Sequence, residues 1–533
     1  MSTKSNTYRV RPGLMAGILA LLLVFFIAVP QEAQAANLRN QVKVIQDELE
    51  LLRTTLDSVL EDLQALREGM KTQISQGAKT EAGVSEQTKQ IESLENKVSK
   101  LRKVLLKKSK HLKLLKKRIK KLEKKPEGRN DLNPSVTTTA DVRARGEMRN
   151  NHSDFSSDTS DRQTGYNQRL RFGLVYKATD KVSAHITAQD ARAFGSELST
   201  SADDGELGLY EGYVSLAPPM VKGLTLDIGR MGFSYGSGML IGIDDWSNTG
   251  RAFDGMRINY VHDMFNLDLF YSMVQERVAT SDPDVDLGGL VLGTSKIGPW
   301  FKPELQIYYL NNGSTGPTGK QLTTLSFRAT GTPVKGLEYD AEAAIQIGTV
   351  RNLTGEAKDR FATAYHVHVQ YGVEHEVKPK FHFDIYAASG DGNPTDDRDV
   401  NFDPLFPDTY YHLDPMGILR LSNLVLASLR AELKPVSYMS VQLGFHSAFL
   451  ASTRGGIPGI GPQYPVDEYD SRSIGNELHL STTYQRGEFL EIRAGYAIFM
   501  PGDAVKDAVT PPNSTEFTTS PAHWAYVQSH VKF

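Results

Sequence analysis

The 533-residue sequence predicts an all-β transmembrane barrel of about 18 antiparallel strands preceded by a long α-helical coiled coil. Three observations carry that expectation. The chain opens on an export signal, its apolar periodicity changes from 3.5 to 2 after a proline-bearing linker, and its last strand ends on an aromatic residue, Phe533.

The first element is the signal peptide, residues 1–35. Lys4, Arg9 and Arg11 precede an apolar run from Leu14 to Val29, and Pro30 and the small-x-small site Ala33-Gln34-Ala35 follow. That order of a basic head, a short apolar core and small residues places cleavage before Ala36. The compartment reached excludes nucleic acid as a partner. The absence of cysteine removes disulfides, thiolate metal sites and thioether-linked haem, so no cofactor is expected.

Residues 36–125 form the second element. Val42, Leu49, Leu56, Leu63 and Met70 alternate with Ile45, Leu52, Val59 and Leu66 at the 3,4 spacing of a coiled-coil seam. The same phase continues through Val84, Ile91, Val98, Leu105, Leu112 and Ile119, with Leu94, Leu101, Leu115 and Leu122 between them. Gly77, Gly83, Gln73, Thr80 and Gln87 weaken the middle and offer a hinge there, but the unbroken phase argues for one continuous rod, ~130 Å long at 1.5 Å per residue if fully helical, ending before Pro126 and Gly128. So apolar a seam needs partner helices, and three copies of the chain could supply them. Charge is unevenly spread: Lys97 to Lys125 holds 15 Lys or Arg against Glu123, leaving residues 126–533 near -15. The basic stretch calls for an anionic polymer, lipid headgroups or the cell wall as a partner, with the helix in the periplasm.

After the linker 126–139, residues 140–533 read as the barrel. Segments of about ten residues alternate apolar with polar between loops rich in Gly, Asp, Asn and Pro. A mean hydropathy of -0.36 suits such a wall, because only one face of each strand meets lipid. The last strand, Ala525 to Phe533, carries the aromatic terminus that suits recognition by the outer-membrane barrel assembly machinery.

Strand parity assigns the lumen. Val142, Ala144, Gly146 and Met148 face lipid, so Arg143, Arg145, Glu147 and Arg149 line the pore. Arg169 and Arg171 follow from the second strand, and Glu211, Arg257, Arg328, Arg430, Glu432, Glu491 and Arg493 from later ones. Glu338, Asp340 and Glu342 form an acidic ladder. Facing charges of this kind order water and select ions.

Residues 229–260, GRMGFSYGSGMLIGIDDWSNTGRAFDGMRINY, together with QDARAFG (Gln189–Gly195), YEGYVSL (Tyr210–Leu216), SGDGNPTDDRDVNFDPLFP (from Ser389) and GYAIFMPGDAV (Gly495–Val505), resemble the alginate export family of outer-membrane porins. The resemblance implies an arginine-rich, constricted barrel that passes an anionic polysaccharide outward and is gated by a periplasmic loop. Carried over by motif, Arg192, Arg230, Arg251, Asp254 and Arg257 would sit at the constriction, although parity puts Arg230 on the lipid face unless a bulge turns it inward. The chain thus reads as a channel rather than an enzyme. A general diffusion porin tethered to the cell wall by its basic helix, or the sleeve of an electron-transfer conduit, are the alternatives.

Three other motifs carry less. Gly232 to Gly236 fits G-x-S-x-G, but without the strand-to-helix turn a nucleophile needs. His366 and His368 share a strand face too far apart to hold a metal alone. Asp391, Asn393, Asp396 and Asp397 offer calcium-like oxygens without EF-hand spacing.

Overall fold

The computed structural model describes residues 31–75, 81–123, 134–156, 161–195, 207–276, 283–352, 354–408, 413–461, 464, 466–511 and 519–533. The signal-peptide assignment up to Pro30, the weak middle of the seam at Gly77 and Thr80, and the stop at Pro126 and Gly128 lie outside them. Two units are distinct, residues 1–131 and 132–533.

In the first unit, α1 (Gln31–Ser75) and α2 (Glu81–Glu123) pack against each other. Arg67 pairs with Glu95 at 2.5 Å, and Lys108, later in α2, pairs with Glu48, earlier in α1, so the two run antiparallel. The seam assigned from sequence is the face they share. Leu63, Val98, Leu115 and Ile119 are buried, while the neighbouring polar positions stay exposed. The continuous rod is therefore corrected to a helical hairpin. A heptad phase is the same in a straight helix and a folded one, so the sequence pattern could not separate them. The hairpin also supplies the seam with its partner helix, and sets the acids of α1 beside the lysines of α2.

The second unit is a closed barrel. Its strands are β1 (Ser135–Asn150), β2 (Gln163–Thr179), β3 (Val182–Ala193), β4 (Gly208–Leu216), β5 (Leu224–Met231), β6 (Phe253–Val261), β7 (Asn266–Gln275), β8 (Val285–Gly293), β9 (Lys302–Asn312) and β10 (Lys320–Val334). They continue with β11 (Leu337–Arg351), β12 (Ala357–Gly372), β13 (Lys380–Ala388), β14 (Arg398–Asp399), β15 (Leu424–Val436), β16 (Met439–Leu450), β17 (Ser473–Arg486), β18 (Leu490–Pro501) and β19 (Ala522–Lys532). Each wall strand pairs antiparallel with its neighbours, and β19 pairs with β1 to close the ring. The two-residue β14 is a bridge onto β12 rather than part of the wall, which leaves 18 wall strands. Closure removes the sheet edges that lipid cannot solvate. The first strand starts at Ser135, five residues before the position expected, because the polar run Ser135 to Thr139 still pairs with β2.

The alternation of side chains agrees with a membrane wall. Leu170, Phe172, Ile186, Phe327, Ile345, Phe361, Tyr365, Phe381, Leu429, Leu443, Leu480 and Val527 are exposed on the outer face. At the terminal residue, Phe533 donates its amide to Ala140 at 2.8 Å and accepts from the Ala140 amide at 3.1 Å, extending the closing ladder to the last position.

Tight turns such as 180–181, 335–336 and 437–438 lie at the end carrying both barrel termini. The long connections 232–252, 389–423, 451–472 and 502–521 leave the opposite end. They do not stay outside. Phe233, Met239, Leu240 and Ile241 are at most 1% exposed, as are Phe402 and Met416, and they join lumen-facing Phe270, Leu287, Tyr308, Leu310 and Leu322 in one apolar cluster. The short helix α3 (Asp503–Val509) adds buried Ala504, Val505 and Ala508. The lumen face of β7 to β10 is thus apolar at Phe270, Leu287, Tyr308, Leu310 and Leu322, where it packs against the chain's own inserted loops rather than water, and polar at Gln306, Ser326 and Arg328.

Candidate channel constriction

The lumen arginines of β1 and β2 converge on one loop. Arg143 donates to the carbonyls of Asp245 (2.6 Å) and Ser247 (2.5 Å), and Arg145 donates to the Trp246 carbonyl (2.8 Å). Arg169 and Arg171 both donate to the Asp245 carboxylate, at 2.9 and 3.0 Å. Alternation along each strand points these four side chains inward, and the neighbouring register of β1 and β2 sets Arg143 opposite Arg169. Four like charges could not gather there without acceptors. The loop supplies the carbonyls of Asp245, Trp246, Ser247 and Thr249 and the carboxylate of Asp245.

Aromatic contacts fix the loop further. The Arg145 guanidinium lies 4.2 Å over the Trp246 ring, whose edge meets Tyr526 at 5.3 Å and Trp524 at 6.1 Å. Arg171 stacks on Tyr210 at 3.6 Å. Burial alone would raise the Asp245 carboxyl, but the guanidinium groups of Arg169, Arg171 and Arg143 outweigh it and hold the group below the usual carboxylate range.

Arg251 ties this loop to the next. Its Nη1 donates to the carbonyls of Gly242 (2.9 Å), Phe406 (2.6 Å) and Pro407 (2.9 Å). Ile241 and Phe406 form a parallel bridge, with Gly242 donating to Phe406 and Asp408 to Gly238. A Cβ at Gly242 would sit 2.8 Å from that of Asp408, so the close approach needs glycine. Asp408 is pushed up to about 6, first by burial and then by Asp244 and Asp245. Asp414 is also pushed up to about 6 by burial, against the opposing bonds it accepts from Ile418 and Leu419.

The other lumen charges assigned from sequence are mostly paired. Arg257 holds Asp227 at 2.7 Å, and Arg328 holds Asp340 at 2.6 Å. Glu342 is buried and accepts from Ser237 (2.6 Å) and Ser326 (2.9 Å), while Glu338 stays exposed. Glu211 accepts from the Gly232 amide at 3.0 Å. Glu147 lies 3.5 Å from Arg145 and 4.0 Å from Arg149, which also donates to the Met416 carbonyl at 3.1 Å. Arg430 pairs with Asp384 at 2.7 Å, and Arg493 with Glu491 at 3.2 Å. Asp384 also accepts from His368 at 2.7 Å, while His366 stacks on Tyr386 at 4.2 Å.

Three residues carried over by motif are not at the constriction. Arg192 lies opposite Gln168 and shares its face with Ile186, which is 48% exposed on the outer wall; it pairs there with Asp190. Arg230 pairs with Asp254 at 2.7 Å, on the face of exposed Met256, and β5 carries no register shift that would turn it inward. A motif preserves residue identity but not strand facing, and parity was the better guide for Arg230.

Ser234 follows β5 into the inserted loop, with no helix after it. The calcium-like oxygens serve their own turn: Asn393 and Arg398 donate backbone amides to Asp391 and Asp396. Among the described residues no three His, Asp or Glu side chains converge as a metal site. What sequence reasoning missed is the inserted loop itself. Trp246 and Asp245 were visible only as a motif, since their lumen contacts join residues about a hundred positions apart.

Among the described residues, open spaces remain beside the loops. One, of about 360 Å³, is lined by Arg430, Arg493, His446, His479 and Glu432. Another, of about 980 Å³, opens among Lys320, Arg360, Arg251 and Arg420 toward the long-loop end. Leu413 lines both.

Among solved structures, the chain is similar to Pseudomonas aeruginosa OprD (12% identity, TM-score 0.47, covering 75% of this chain and 93% of that one). It is similar also to P. aeruginosa OccK11, or OpdR (12%, TM-score 0.48, 74% and 96%), and to Acinetobacter baumannii OccAB4 (10%, TM-score 0.48, 74% and 98%). No match to a curated protein was found. The profile of the family described as alginate export matches residues 135–518, the barrel from its first strand to the loop before its last. With the closed 18-strand wall and the arginine face within it, that match identifies the chain as an outer-membrane porin of the alginate export family.

Proposed function

We propose that this porin conducts an anionic polysaccharide or other acidic solute, and that its own loop 232–252 occupies the path at rest. The observation that carries this reading is the convergence of Arg143, Arg145, Arg169 and Arg171 on the Asp245 carboxylate and the carbonyls beside it. A carboxylate held by arginines is what a uronate in transit would also present. Asp245 then acts as an internal competitor, and an arriving acidic solute exchanges with it. Binding by several weak, neighbouring cations suits conduction, because each site must release what it holds. Arg257, Arg430 and Arg493 continue the positive positions along the wall, each tempered by a partner acid. No catalytic role is proposed.

In this reading the tight-turn end and the helical hairpin face the periplasm, and the long loops face the exterior. The inserted gate then comes from the exterior side rather than from a periplasmic loop. The exposed lysines of α2 suit an anionic surface such as the cell wall or inner-leaflet headgroups. The test is current block in a planar bilayer. Acidic uronate oligosaccharides should interrupt the ionic current of the Asp245→Asn channel, and neutral oligosaccharides of the same length should not. Equal block by both would overturn the reading.

A further inference from the structure

The outer wall carries a concavity the channel reading does not use. It lies over the seam where β19 closes on β1, a trough of about 720 Å³ on the lipid-facing side. Two register rows build it. Thr164, Met148, Ala525, Tyr496 and Leu480 lie side by side in one, and Tyr166, Gly146, Val527, Ala494 and Thr482 in the next. Small residues form the floor: Gly146, Ala494 and Ala525. Tyr166, Tyr496 and Leu480 stand out as walls, each more than 40% exposed. Gly146 matters for the shape, since a Cβ there would stand 3.2 Å from the Tyr166 ring that lies over it.

Arg162 stands at the mouth, one residue before β2 begins and at the long-loop end. Its Nη2 rests 3.4 Å from the Met148 sulfur, and among the described residues it makes no ion pair. A guanidinium above an apolar trough, at the long-loop end of the outer wall, is complementary to a lipid with an anionic head and acyl chains. We propose that this trough seats the phosphorylated, acylated glycolipid of the outer leaflet, with an acyl chain over Gly146 and Ala494 and a head phosphate on Arg162. The proposal rests on the long loops facing the exterior, which places Arg162 in that leaflet.

The full-length porin, purified in mild detergent, is tested by native mass spectrometry with three added lipids: lipid A, dephosphorylated lipid A and phosphatidylglycerol. Wild type should retain lipid A through the desolvation step. Arg162→Glu should lower retention at least fivefold, as should removal of the phosphates. Ala494→Phe, which fills the trough without touching Arg162, should lower it to the same degree, with heat-modifiable electrophoretic mobility showing that each barrel is folded. Retention unchanged in both variants would overturn the site, and so would preference for phosphatidylglycerol. Loss of an oligomer in Ala494→Phe without loss of lipid would instead assign the trough to a second copy and equally overturn it. Labelling Thr354→Cys on intact cells with an impermeant maleimide checks the orientation separately, because the chain has no other cysteine.

Discussion

Arg169 and Asp245 meet at 2.9 Å inside the barrel, joining a wall strand to a loop 76 residues later in the chain. Arg169 is 1% exposed and also lies 3.6 Å from Asp141, so it holds the loop to the wall from a fixed position. Removing the loop's charge should weaken its seat by on the order of 1–3 kcal/mol. Trp246→Ala, which removes the ring under Arg145, should act in the same direction without altering any charge. Single-channel recording is expected to show longer openings for this variant and an unchanged reversal potential.

Two acids of the inserted loop 389–423 predict a pH dependence for the proposed gating. Asp408 and Asp414 are each raised to about 6 in the seated loops, above the value of a free carboxyl. A group whose seated pKa is raised favours seating when protonated, and that advantage is lost as pH rises through about 6. Macroscopic conductance should therefore be lower at pH 5 than at pH 7.5. The double variant Asp408→Asn and Asp414→Asn should keep the low value at both, as measured in bilayers of fixed salt.

Wall position predicts which arginines matter to permeating ions. Arg257 faces the lumen beside Asp227, whereas Arg230 faces outward beside Asp254. Arg257→Ala should move the reversal potential toward cation preference, and Arg230→Ala should leave it within error. A shift of equal size in both would show that the outer placement of Arg230 is mistaken.

The hairpin is tested by proximity. Cysteines at Arg67 and Glu95 are the only thiols such a variant would contain, and the native side chains there touch at 2.5 Å. A short bismaleimide should join them within one chain, giving a monomer of altered mobility by denaturing electrophoresis. Predominantly intermolecular products would contradict the antiparallel fold.

The wall was largely legible because period-2 alternation is local: each strand announces its own facing, and the expected count of about 18 strands is the count of the wall. Arg143, Arg145, Arg169 and Arg171 were placed inward on that basis alone. The seating of loop 232–252 was not legible, since nothing local says that Trp246 will meet Tyr526 inside the barrel. Arg192, Arg230 and Asp254 misled because a motif reports which residues recur and not which side of a sheet they take. The rod became a hairpin because a seam specifies a partner without naming it.

The most direct test of the account is the reversal potential of the Asp245→Asn channel in a tenfold salt gradient, with and without Arg143→Ala and Arg145→Ala. With the competitor neutralised, the account predicts a conductance above that of wild type and a reversal potential on the anion side, collapsing toward zero when the two arginines are removed. Conductance equal to wild type, or an anion preference untouched by the loss of Arg143 and Arg145, would contradict it.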